Sequence, residues 1–80
     1  MKLRRIELDD NELPSRATFD VTADEALYLA VLLGKMSGTQ AEELLTGGGE
    51  LSADLYECLT GSLFNRFYED GVNDAVRARG

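Results

Sequence analysis

Apolar residues recur along this chain with two different periods, and the change between them divides it. Over residues 16–21 the alternation is strict: Ala17, Phe19 and Val21 point one way, Arg16, Thr18 and Asp20 the other. A period of two is the pattern of a half-buried strand. Residues 2–8 read as a second strand with a flaw, since Ile6 and Leu8 share one face and Leu3 falls on the other. Between them, Asp9-Asp10-Asn11-Glu12-Leu13-Pro14-Ser15 is rich in turn formers, and Pro14 has no amide to give to a ladder. The pattern predicts an N-terminal two-stranded β-hairpin within residues 2–21. A lone hairpin is marginal in water, so its apolar face is expected to be covered.

From Thr22 onward the signals are helical. Thr22-Ala23-Asp24-Glu25 is a capping box, in which the threonine hydroxyl accepts from the Glu25 amide and the glutamate reaches back. It predicts a helix over 23–36, ended by Ser37-Gly38. Thr39-Gln40-Ala41-Glu42 reads as a second capping box, opening a short helix that ends near Thr46. Gly47-Gly48-Gly49 then reads as a flexible joint. Ser52 is a good N-cap for a third helix over 53–69, with Gly71 as a C′ residue and Asn73 capping a last turn. The expectation is one α+β domain over residues 1–80: the hairpin packed on two longer helices and one short helix, with the helical part at 22–78.

Plotted at 100° per residue, the first long helix has two apolar faces. Ala26, Leu29, Ala30, Leu33 and Met36 make a broad stripe flanked by Leu32, the expected core face. Leu27, Tyr28 and Val31 lie on the opposite side, beside Asp24 and Lys35. The third helix carries Leu55, Tyr56, Leu59, Leu63 and Phe67 in its main stripe, which Phe64 and Tyr68 widen. Phe19, Leu29, Leu33, Leu59 and Leu63 are expected to be buried together. Two explanations of the extra apolar residues stay open. Either the helices are sandwiched within the chain, or Leu27, Tyr28 and Val31 form a self-association face against a second copy. Gly61 inside the third helix is either a tolerated defect or a point of close backbone approach.

Eighty residues with eight Lys and Arg, fifteen Asp and Glu and no His give a net charge of -7. This balance argues against direct binding to a nucleic-acid backbone or an anionic membrane surface. The charge is uneven: residues 21–60 hold seven acids and one base, Lys35. The longest apolar run, residues 26–33, is far short of the ~20 residues that span a bilayer. No targeting segment is read, and a cytoplasmic location is expected.

Candidate chemistry is sparse. With no histidine and a single cysteine, Cys58, neither a zinc site nor an intrachain disulfide is expected. Adjacent acid pairs such as Glu42-Glu43 do not share a helix face, and the glycine triplet lacks the Lys-Ser/Thr of a phosphate loop. No cofactor, metal or catalytic residue is expected, and the chain is read as a non-enzyme. Arg66 among aromatics has the composition of an interface hot spot, which makes Phe64, Arg66 and Tyr68 a candidate partner-binding face.

The segments TADEALYLAVLLGKMSG and LYECLTGSLFNRFYEDGVNDA, the FNRFYEDG stretch above all, resemble small acidic accessory proteins of bacteriophages that infect actinobacteria. The resemblance implies a viral protein made in a host cytoplasm and acting by binding. The resulting expectation is a non-enzymatic homodimer that binds a host protein. The alternative is a protein that binds or sequesters a small molecule such as a nucleotide signal, which would need Arg4, Arg5, Arg16, Arg66 and Arg77 to cluster.

Overall fold

A computed structural model describes all residues, 1–80. Strands β1 (Lys2–Leu8) and β2 (Pro14–Asp20) form an antiparallel hairpin, as expected. The Asp9 carboxylate closes its loop, accepting from the amides of Asn11 at 2.9 Å and Leu13 at 3.0 Å. Leu3 pairs with Phe19 and Ile6 with Ala17, with a bulge between Leu3 and Arg5. Paired residues share a sheet face. The extra residue, Arg4, therefore moves Leu3 onto the face of Ile6, Ala17 and Phe19. The flaw in the alternation marks that bulge.

The helical part follows: α1 (Ala23–Gly34), α2 (Gly38–Leu44), α3 (Gly48–Glu57), a π-helical segment (Cys58–Phe64), α4 (Asn65–Phe67) and α5 (Gly71–Arg79). The Thr22 capping box opens α1, with both of its hydrogen bonds made. The second box is built by Ser37 and Gln40, two residues before the expected Thr39. Ser37 thus starts α2 instead of merely ending α1.

Two expectations fail in the third helix. The glycine triplet is not a joint: Gly47 caps the helix at φ 83°, and Gly48 and Gly49 form its first turn, well ahead of Ser52. A Cβ at Gly48 would overlap the carbonyl oxygen of Ala41, so the glycine lets α2 and α3 cross backbone to backbone. Beyond Glu57 the helix widens into π geometry around Gly61, and the Thr60 hydroxyl donates back to the carbonyl of Tyr56 at 2.8 Å. A hypothetical Cβ on Gly61 meets nothing, so no backbone of this chain approaches it.

The core lies where α1 meets the π segment and α5: Ala26, Leu27, Ala30, Phe64 and Ala75, with Val31, Leu59, Leu63 and Val72 half-buried around it. This corrects the expected cluster. Leu29 and Leu33 are half-buried, and Phe19 is 47% exposed. The wider π turns reset the helical phase, so Phe64 points inward while Phe67, at the far end of the predicted stripe, stays exposed; Leu55, ahead of the π segment, is exposed as well. The hairpin is not part of the core, because neither strand packs on a helix. The molecule measures 45 × 31 × 18 Å with a radius of gyration of 14.6 Å. A compact 80-residue domain would have about 12 Å.

Candidate functional site

Leu27 is 7% exposed and packs in the core, and Val31 is half-buried against it; only Tyr28, at 69%, faces solvent. The opposite side of α1 is therefore not a free self-association face. It is sandwiched within the chain, under α5 and the π segment. What remains is an open groove between α1 and α5, lined by Asp24, Leu27, Tyr28, Val31, Val76 and Arg79. Arg79 bridges it to Asp24 at 3.1 Å.

The Phe64, Arg66 and Tyr68 face does not assemble either. Phe64 is in the core at 4% exposure, with the Tyr68 ring 6.5 Å away and tilted by 39°. Arg66 instead lies over the exposed ring of Phe67, 5.6 Å from its centre. The arginines do not gather into an anion site. Arg4 pairs with Asp20 at 3.3 Å, while Arg5 and Arg16 both face Glu7. Arg77, on α5, binds Asp70 and Asp74. Each of these guanidiniums already has a carboxylate of its own chain.

Local electrostatics serve helix ends. The Glu25 carboxyl is pulled down to about 2 by a hydrogen bond from the Met1 ammonium, helped by the backbone and hydroxyl of Thr22. Asp74 is held below its ordinary value by the Asp70 amide, then by Arg77, whose own pKa is raised by Asp74 and Asp70. No group of three or more His, Cys, Asp or Glu is arranged to hold a metal ion, and no helix is long and apolar enough to cross a membrane. Cys58 is exposed and free.

What the fold does present is exposed apolar side chains on both the hairpin and the helical part. On the hairpin, Leu3, Ile6, Leu8 and Phe19 are exposed. On the helical part, Leu44 and Leu45 at the elbow between α2 and α3 are exposed, as are Leu51 and Leu55 one turn apart on α3. Only 8 of 80 residues are buried. The accessible surface is 6383 Å². A folded monomer of 8.8 kDa would expose about 4800 Å². Sequence reasoning missed both surfaces because it assigned the hairpin face to the core and gave the glycine triplet to a joint. No protein-family model, curated protein or solved structure matches the chain, so its own residues carry the functional reading.

Proposed function

We propose that this chain is a non-catalytic accessory protein that works by protein–protein binding in a self-associated form, as the phage-type proteins it resembles are expected to. One observation supports the reading above the rest: the chain exposes about 1600 Å² more than a monomer of its size should. Obligate protein interfaces bury roughly 2000–5000 Å² in total, or about half that on each partner. The excess is of that size. The exposed side chains include leucines, Ile6 and Phe19, and large exposed apolar patches mark contact sites. The alternative, binding of an anionic small molecule, is disfavoured by the dispersed and internally paired arginines.

The test is light scattering across a concentration series. A stable oligomer is expected at and above about 10 μM, in the range of modest specific contacts. A chain that remains monomeric at roughly 100 μM removes self-association from the reading.

A further inference from the structure

Leu51, Leu55 and Cys58 recur at helical spacing on α3 and its C-cap, so they share one stripe, and all three are exposed. Glu50, Asp54 and Glu57 repeat that spacing one position earlier and form a second exposed stripe, about 100° further round the helix. We propose that this double stripe docks a basic amphipathic helix of another protein. Its apolar residues lie on Leu51 and Leu55, and its Lys or Arg residues lie on the three acids. The inference rests on the protein-binding part of the reading above and names the partner's chemistry.

Two other sides of α3 are taken by its own chain. Gly48 lies against the Ala41 carbonyl of α2, and the Tyr56 ring lies beside Gly34 at the end of α1. The acidic stripe is about 100° or more round the helix from either residue, and so faces away from both neighbours.

The acids are also electrostatically unrelieved. The ion pairs of this chain engage Glu7, Asp20, Asp24, Glu25, Asp70 and Asp74, and none engages Glu50, Asp54 or Glu57. Like charges three and four residues apart repel on a helix. A row of Lys or Arg laid along the stripe removes that repulsion and steers the partner into register. A cation alone would leave Leu51 and Leu55, at 50% and 55% exposure, in water. An amphipathic helix carries apolar and basic residues in parallel rows at the same spacing, and it packs on another helix ridge into groove.

A second copy does not supply such a helix. Pairing α3 with α3 would set acid on acid. The bases outside ion pairs are Lys2, Lys35 and Arg66, which stand in separate parts of the chain, so no helix here presents a free basic row. The occupant is therefore a different protein.

The experiment is fluorescence anisotropy on the full chain with a labelled synthetic peptide, about 18 residues long, with Leu at i, i+3, i+4 and i+7 and Lys elsewhere. The expected Kd is about 1–100 μM at roughly 0.15 M salt, where long-range attraction is screened. Glu50→Gln/Asp54→Asn/Glu57→Gln should weaken binding at least tenfold. Asp10→Asn/Glu12→Gln/Glu69→Gln removes the same charge from exposed acids elsewhere and should change it less than about twofold. Leu51→Ser/Leu55→Ser should also weaken it at least tenfold while helix content by circular dichroism is retained, since both leucines are exposed. A peptide with every Leu replaced by Ser should bind at least tenfold more weakly. Equal weakening by the two charge variants, or equal binding of the two peptides, would reduce the effect to diffuse attraction towards a chain of net charge -7 and overturn the docking site. Absence of binding at roughly 100 μM would overturn it too. Light scattering on the chain without peptide reads self-association separately, so loss of the docking site and loss of the oligomer are told apart.

Discussion

Phe64 and Phe19 are the same side chain in two regions of one small protein, and they end at 4% and 47% exposure. Phe64 sits where three elements converge: the π segment carries it, α1 offers Ala26 and Ala30, and α5 offers Ala75. The small residues let the helices approach, and the ring fills the space between them. Phe19 sits on a ribbon only one layer thick. Its cross-strand partner Leu3 shields one flank, and no second layer exists within the chain. An apolar stripe of the right period is thus buried only where another surface of the same chain can reach it. The helical part closes on itself, and the hairpin has no second layer within the chain.

The largest expected effect is at Phe64. Phe64→Ala should cost about 3–5 kcal/mol, the range for emptying an aromatic core site. That is enough to unfold most of a chain whose core is so small, as urea denaturation would register. Phe67→Ala, on a ring 71% exposed, should change stability by less than about 0.5 kcal/mol. Similar losses for the two would mean that the phase set by the π segment is wrong.

Gly48→Ala comes next. Its methyl would meet the Ala41 carbonyl, and forcing α2 from α3 should cost about 1–3 kcal/mol, whereas Gly61→Ala, which meets nothing, should be tolerated. Equal melting temperatures for the two glycine variants would contradict the close crossing.

A smaller effect belongs to the joint between the two regions. Thr22→Ala should lower stability by about 1 kcal/mol through loss of the helix cap. The Glu25 side of the same box adds a pH dependence. Its folded pKa, about 2, lies below the ordinary carboxylate value of 4.5. The stability it contributes is therefore fully present above about pH 4.5 and is lost as pH falls through about 2. Glu25→Gln should lower the melting temperature at pH 7, and its gap from wild type should shrink across that window. A gap that stays constant from pH 7 to pH 2 would rule out the carboxylate as its source.

The smallest expected change is at Phe19. In dilute solution, where the hairpin has no cover, Phe19→Ala should alter the stability of the helical part by less than about 0.5 kcal/mol. Hairpin amides should exchange with solvent faster than those of α1, since neither strand packs on a helix. Protection of the hairpin equal to that of α1 at every concentration would show that the two regions form one cooperative unit.

Much of this architecture was legible in short stretches of sequence. The strict alternation of residues 16–21, the turn formers before it and the Thr22/Glu25 box specify a hairpin followed by a helix, because each signal acts over a few residues through geometry the backbone itself imposes. The α+β class follows from them, and the missing histidine already argued against the commonest catalytic and zinc chemistry. Burial was a different matter. Leu27 and Val31 face inward because α5 folds over them, and Phe64 joins them because π turns shift the phase that a fixed 100° step assumes. Gly48 looked like part of a hinge, yet a carbonyl from α2 occupies the space of a side chain there. Phe19 has a flawless strand pattern and no core to enter. Period and capping state which way a residue points along its own element. Whether that direction ends in protein or in water depends on which distant faces arrive there, and that is settled by the packing of segments that no local pattern describes.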